Sequence, residues 1–487
     1  MNLIMLQKFK ALRFTQTPQL KKKMKMELIF IAWPDIGHLS ATLHLADLLI
    51  RRNHRLSVTF FIIPPPSHTI TSTKLHSLLP SSTIPIIILP QIPPLPHHPQ
   101  FISLIKTTIQ TQKQNVFHAV ADLISNSPDS PTVLAGFVLD MFCTPMIDVA
   151  NQLGVPSYLF STSSAANLSL TLHLQHLYDR THQSLNPDVQ IPIPGFVNPV
   201  TAKAIPTAYF DENAKWIHES VRRFGESNGI LINTFSELES NVIEAFADSS
   251  SSSTFPPVYA VGPILNLNKN SSSEGYEILK WLDEQPFQSV VFLCFGSRGS
   301  FGRDQVKEIA EALERSGYRF VWSLREPSSE GEIQNTDYIK EVVPEGFLDR
   351  TAGMGRVIGW APQMKILEHP ATGGFVSHCG WNSILESLWF GVPIGAWAMY
   401  AEQGLNAVEM GVELGLAVEI STETGQGIVR AEKIESGIKE VMKGDGEIRK
   451  MVKMKSEESR KSVMENGSSF TALNRFIEVV IAKAKLK

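Results

Sequence analysis

Short apolar runs, each closed by a turn and followed by a stretch of helical spacing, recur along this chain and restrict it to α/β architectures. "MELIFIAW" (26–33) leads through a turn into "HLSATLHLADLLIRR", whose apolar residues repeat at helical intervals, and then into "LSVTFFII". That is a βαβ opening. The strand-like runs "TIPIIIL", "VLAGFVLD", "VPSYLF" and "GILINTF" alternate with helical stretches such as "TPMIDVANQL", the pattern of a parallel sheet covered by helices. The serine run and prolines of "ADSSSSSTFPP" (247–257), echoed by "NLNKNSSSEG", then break the pattern. Alternation restarts with "SVVFLCFGS", the helix "DQVKEIAEALERSG", the strands "RFVWSLR", "GRVIGW" and "GGFVSH", the helix "NSILESLWF" and the strand "VPIGAW". At 487 residues the chain is too long for one ordinary core. The reading is therefore a disordered basic extension (1–23), a first α/β domain (24–246), a linker (247–273), a second α/β domain (274–467) and a terminal helix (468–487).

Composition excludes several function classes. Apolar residues at 43% and charged residues at 19% describe a globular chain. A formal charge of −4 argues against a general nucleic-acid binder, which needs an excess of Lys and Arg. Cys143, Cys294 and Cys379 lie far apart with no C-x-x-C spacing, so neither a disulfide framework nor a structural zinc site is indicated. No run approaches the roughly 18 apolar residues a bilayer span requires, so no membrane insertion is expected. The first 23 residues carry six Lys and Arg and no acid, which fits either an organelle transit peptide or an upstream start codon. The second is favoured because the transit features are partial.

Two motif matches fail on context. "GESNG" (225–229) has the G-x-S-x-G spacing of a nucleophile elbow, but a helical pattern precedes it and a strand follows, so Ser227 belongs to a helix-to-strand turn. "GSRGSFG" (296–302) follows a strand and opens a helix, yet its spacing is G-x-x-G-x-x-G and the next strand ends at Arg325 with no acid for a ribose. A glycine-rich loop near phosphate remains, while a nicotinamide fold is disfavoured. There is no G-K-[ST] and no Asp-x-Asp, so no metal-bridged diphosphate is signalled.

"GGFVSHCGWNSILES" (373–387) is the richest stretch. Gly373, Gly374 and Gly380 let backbone approach a ligand, Asn382 and Ser383 open a helix, and the free N–H groups of a helix start favour an anion. His378 stands one step earlier, placed to donate to the same anion, and Glu386 lies one turn into the helix. Taken alone, the window reads better as an ordinary capped helix with a core histidine.

The wider window, 44 residues from Trp360 to Gln403, resembles the signature box of plant family 1 UDP-glycosyltransferases, with "WAPQ", "HP", "GGFVSHCGWNS", "ES", "GVP" and "YAEQ" at its spacing. The histidine after "PDIG", the Asp of "VLDMFC", "WLDEQP" and "FLCFGSRGS" agree, so the resemblance covers roughly residues 24 to 480. It implies a GT-B fold: two facing Rossmann-like α/β domains, acceptor in the first, UDP-sugar in the second. By motif position, Trp360 stacks on uracil, the Ala361 backbone meets the base, and Gln363 and Glu386 address the ribose. Ser297, His378, Asn382 and Ser383 hold the diphosphate beside Gly380, and Trp381, Glu402 and Gln403 face the sugar, with Thr162 of "LFSTSSAA" nearby. These residue types suit those roles: an aromatic face for a π-ring, acceptors for hydroxyls, donors for phosphate oxygens.

The resemblance also makes His38 the base and Asp140 its partner, with Met141 and Phe142 beside the acceptor. Histidine titrates near neutral pH and a carboxylate orients its ring, while the helix start at His38 is expected to keep the imidazole neutral. In-line attack then inverts the anomeric centre and gives a β-O-glucoside, with UDP-glucose as co-substrate and no metal or other cofactor. The implied acceptor is a hydroxyl of a small apolar plant metabolite: flavonoid, lignan, phenylpropanoid or triterpenoid. A monomer acting in the cytoplasm is expected. Two departures stand out: Ala398 replaces a proline common in the box, and Asp35 sits where Pro-Gly is usual. The competing readings are a non-catalytic GT-B-fold protein that binds UDP-sugar or an aromatic ligand, and an NADP-dependent reductase.

Overall fold

In the computed structural model the described residues are 25–64, 84–93, 101–125, 132–181, 189–250, 255–267, 276–326, 336–422 and 427–485. The basic extension 1–23 lies outside them, as do residues 94–100. Seven parallel strands form the first sheet: β1 (Lys25–Ala32), β2 (Leu56–Ile62), β3 (Ile86–Ile88), β4 (Thr132–Asp140), β5 (Ser157–Ser161), β8 (Ile230–Ile232) and β9 (Val258–Ala260), in the order β3-β2-β1-β4-β5-β8-β9. A two-stranded antiparallel pair, β6 (Gln190–Ile191) and β7 (Val200–Thr201), stands apart. The second sheet contains β10 (Val290–Cys294), β11 (Arg319–Ser323), β12 (Gly355–Ile358), β13 (Thr372–Ser377), β14 (Ile394–Trp397) and β15 (Ala417–Ser421), in the order β12-β11-β10-β13-β14-β15.

Both sheets are covered on both faces, which is why their strands read as unbroken apolar runs. Leu28, Phe30 and Ala32 of β1 enter one core, with the helix Ile36–Arg52, while Ile29 and Ile31 enter the other, with the helix Phe101–Ser125. The same period of two sends Phe292 and Cys294 to one side of the second sheet and Val291 and Leu293 to the other. The terminal helix Ser468–Lys485 places Leu473, Phe476, Ile477 and Val480 in the core of the first sheet, so the chain returns to the domain where it began.

One boundary is corrected. The stretch 247–273, read as linker, contains β9, whose Ile230↔Val258 register with β8 completes the first sheet. Three strand residues behind two prolines are too short to register as a strand in sequence. Each sheet reverses its strand order once, between β1 and β4 in the first and between β10 and β13 in the second. Crevices for ligands open at the carboxyl ends of strands at such points.

Candidate active site

Both reversal points carry the residues singled out in sequence. His38 lies in the first turn of the helix after β1, and Asp140 is the last residue of β4. His38 Nδ1 is 2.6 Å from Asp140 Oδ2, across 102 residues of chain. Asp140 Oδ1 accepts the Phe142 amide at 2.8 Å, capping the short 3-10 turn Met141–Met146, so both carboxylate oxygens are fixed. Asp140 is fully buried, and the His38 side chain is 22% exposed. Thr162 Oγ1 is 3.3 Å from His38 Nδ1, and the Phe142 ring lies 5.1 Å from the imidazole, centre to centre. Phe142 and Met141 thus begin the wall beside the histidine. Thr162 sits with the His–Asp pair.

Burial alone would lower the His38 pKa. The Asp140 charge and hydrogen bond, with Asp35 and Glu402 behind them, outweigh burial and raise it to about 9. The expectation of a neutral imidazole at a helix start is therefore corrected. A helix end carries about half a charge spread over its first turn, whereas Asp140 is a full charge in direct contact. With Nδ1 committed to Asp140, Nε2 is the nitrogen left to exchange a proton with a substrate.

The facing crevice is built from the loops after β10, β13 and β14. The helix Trp381–Phe390 begins with Gly380 as its N-cap and no side-chain cap, so its first amides are left for a ligand. Asn382 and Ser383 stand inside the helix rather than capping it. His378 is buried, its Nδ1 has no partner, and burial lowers its pKa to about 4, so it is a neutral hydrogen-bonding group. A Cβ on Gly296 or Gly380 would come within 2.5 or 2.6 Å of His378 Nε2. The two glycines hold the ring between them. An orphaned imidazole nitrogen beside uncapped helix amides fits an anion such as a diphosphate.

Ser297 is exposed on the loop after β10. Trp360 is 44% exposed, an indole offered to the cleft rim. Ala361 is half-buried, and its carbonyl accepts the Gln363 amide at 2.9 Å. Gln363 Nε2 donates to Glu386 Oε2 at 2.7 Å and to Ser383 Oγ at 2.9 Å, which ties the short helix of Gln363 to the helix Trp381–Phe390. Gln403 Oε1 accepts the amides of Met399 and Tyr400 at 3.0 and 3.1 Å, fixing the loop that carries Glu402. Burial raises the Glu402 pKa, and His38 draws it back.

The Trp381 side chain is buried and its Nε1 donates to the Asn233 carbonyl at 2.7 Å, which spends the indole nitrogen on the first domain. Burial pushes the Cys379 thiol up to about 12, which removes it as a nucleophile. Ser227 Oγ is buried and donates to the Phe224 carbonyl at 2.9 Å, as a turn residue would. Cys379 and Ala401, at φ of +61° and +53°, hold left-handed backbone next to the cradle and the Glu402 loop.

Several contacts close the two halves on each other. Asn382 Nδ2 donates to the Gly37 carbonyl at 3.0 Å, joining the start of the cradle helix to the residue before His38. Arg298, beside Ser297, pairs with Asp35 Oδ2 at 2.7 Å, while Asp35 Oδ1 accepts the Gly37 amide at 3.1 Å and caps the His38 helix. The Asp35 departure is thus an interdomain contact. The Ala398 amide donates to the Ser421 carbonyl at 2.7 Å, a bond that proline could not make. Asn233, Arg298, Glu239 and Glu409 carried no sequence signal, because their partners lie far away in the chain. Among the described residues no group of His, Cys, Asp and Glu is arranged to hold a metal ion. No helix among them is long and apolar enough to cross a membrane.

A histidine–carboxylate pair facing an anion cradle, across two doubly wound domains, defines a GT-B group-transfer enzyme. Residues 229–457 match the family described as "UDP-glucoronosyl and UDP-glucosyl transferase". Anthocyanidin 3-O-glucosyltransferase 1 of Manihot esculenta is 47% identical over 464 residues, covering 92% of this chain and all of that protein. A UGT transferase from Siraitia grosvenorii, solved in complex with UDP, superposes with a TM-score of 0.83 at 60% identity over 94% of this chain and 100% of that one. UGT71G1 of Medicago truncatula, solved with UDP-glucose, gives 0.79 at 41% identity over 94% and 98%. The chain belongs to this family: it is a UDP-glycosyltransferase with the GT-B fold.

Proposed function

We propose that the protein transfers glucose from UDP-glucose to a hydroxyl of a small apolar plant metabolite, with inversion and without a metal. The observation that supports this most is the Asn382–Gly37 hydrogen bond of 3.0 Å, which joins the start of the uncapped helix Trp381–Phe390 to the residue before His38. The related protein solved with UDP-glucose supports the donor, and the Manihot relative, named for anthocyanidins, supports a flavonoid-like phenol as acceptor.

In this mechanism His38 Nε2 takes the acceptor proton as the acceptor oxygen bonds to the anomeric carbon, and Asp140 stabilises the imidazolium. The bond from that carbon to the diphosphate breaks on the opposite face. The first amides of the helix Trp381–Phe390, His378 and Ser297 receive the leaving negative charge, the role a metal plays elsewhere. Trp360 stacks on uracil, Ala361 offers backbone to the base, Gln363 and Glu386 hold the ribose, and Glu402 and Gln403 meet the sugar. Thr162, bonded to His38, stands between sugar and base. Phe142 and Met141 line the acceptor side. The proposed division is an acceptor-binding first domain and a UDP-sugar-binding second domain, in a monomer working in the cytoplasm.

UDP release from UDP-glucose, followed over a panel of phenols and triterpenoid alcohols in excess EDTA, tests the proposal. Acceptor-dependent release that His38→Ala abolishes is expected. Loss of activity in EDTA, or normal turnover by His38→Ala, would overturn it.

A further inference from the structure

The helix that starts at Gln403 runs through Val408 into a wider π turn, Glu409–Glu413, and is driven into the first domain. Leu405 lies in an apolar cluster otherwise made by first-domain residues such as Leu170, Ile191 and Ala204. Glu413 accepts the amides of Val197 and Asn198 at 3.0 and 2.9 Å. Between these contacts a second carboxyl, Glu409, is buried within the junction. Its neighbours are the Glu239 carboxyl and the Ser164 hydroxyl, with the Glu413 charge further along its own helix. Among the described residues no donor reaches Glu409 Oε2.

Glu239 is equally buried and already committed. Its two oxygens accept the amides of Ala165 and Ala166 at 3.0 and 2.7 Å, the first turn of the helix Ala165–Thr181. Acceptor oxygens there suit the positive end of that helix. Two buried carboxyls side by side cannot both be charged, and Glu239 spends both of its oxygens on helix amides, so the proton resides on Glu409. Burial and Glu239 together raise the Glu409 pKa well above its ordinary value.

The pair joins two walls of the site. Glu239 fixes the helix that follows Thr162, and Glu409 fixes the helix that begins at Gln403. We propose that Glu409 and Glu239 are positioning residues for the transfer reaction: a carboxyl–carboxylate pair sharing one proton, which keeps the sugar-facing loop of Glu402 and Gln403 in register with Thr162 and the His38–Asp140 pair. This rests on the glycosyltransfer reading above.

The sign of the linkage gives a test that needs no turnover. A carboxyl whose folded pKa is raised keeps its proton above the unfolded value, so stability falls as pH rises from about 4.5 toward the folded pKa. Glu409→Gln keeps a donor toward Glu239 and an acceptor for Ser164 but cannot ionise. Its Tm is expected to gain on wild type progressively between pH 5 and pH 8. The kinetic arm is Glu409→Leu, assayed well below its Tm: kcat is expected to fall about tenfold, with a much smaller change in the KM for UDP-glucose, and Glu409→Gln is expected to restore most of the loss. A Tm difference independent of pH would overturn the shared proton. An unchanged kcat in a folded Glu409→Leu, or in a folded Glu239→Gln if the leucine variant does not fold, would overturn the positioning role. If wild type turned over no acceptor, the Tm series would still decide the proton, and the failure would belong to the glycosyltransfer reading.

Discussion

Asp140→Asn isolates the charge that sets the base. Without the carboxylate, burial is opposed only by the Asp35 and Glu402 charges, and the His38 pKa is expected to fall from about 9 back toward its ordinary value of 6.5. A change of about 2.5 units corresponds to roughly 3 kcal/mol of interaction between imidazolium and carboxylate. The sign follows from the raised pKa: this stabilisation is fully present below pH 6.5 and is lost as pH rises through about 9. Asp140→Asn is thus expected to destabilise the protein by roughly 3 kcal/mol at pH 6 but by only about 1 kcal/mol at pH 10, where a neutral hydrogen bond is all that differs. Denaturant unfolding at the two pH values, beside NMR titration of His38, measures this directly. In wild type roughly 1% of His38 is neutral at pH 7, so kcat/KM for an alcohol acceptor is expected to rise tenfold per pH unit toward a plateau near 9. Asp140→Asn is expected to shift that profile to lower pH and lower its plateau by about 10²–10⁴. His38 titrating at or below 6.5 in wild type, or an equal penalty at both pH values, would refute the reasoning.

Gly380→Ala drives a Cβ to within 2.6 Å of His378 Nε2 and is expected to weaken UDP binding tenfold or more by calorimetry, with the fold intact by circular dichroism. Arg298→Ala and Asp35→Ala each remove one half of an ion pair that solvent screens, worth at most about 1 kcal/mol. Each is expected to raise the KM for UDP-glucose no more than about fivefold, and the exchange of the two charges is expected to recover part of the loss. Trp360→Ala removes the exposed indole and is expected to cost about tenfold in UDP affinity while leaving Tm near wild type.

The two sheets were legible because strands buried on both faces are continuous apolar runs, and the helices between them keep a 3.6-residue period. β9 was not, since Val258–Ala260 is three residues long behind Pro256 and Pro257. The stretch expected to hold the donor was legible because its parts are contiguous from Trp360 to Gln403, so the resemblance of the whole box could be recognised where the short window could not. The His38–Asp140 pair was legible only by resemblance: nothing local to His38 reveals a carboxylate 102 residues away, and reasoning from the helix end alone left out the charge that raises its pKa. The junction was not legible at all. Asp35–Arg298, Asn233–Trp381 and Glu239–Glu409 are through-space pairs between domains, and each partner alone looks like a solvated residue or a turn residue. The indole of Trp381 shows the same limit, for its motif position does not say which atom is spent on the neighbouring domain.

The configuration of the product tests the central claim most directly. Proton NMR of the glucoside formed from UDP-glucose and a phenolic acceptor, in EDTA, is expected to show a single β-anomer with a large diaxial coupling and no product from His38→Ala. An α-anomer, or the same β-glucoside made at the wild-type rate by His38→Ala, would contradict direct displacement by a hydroxyl that His38 deprotonates.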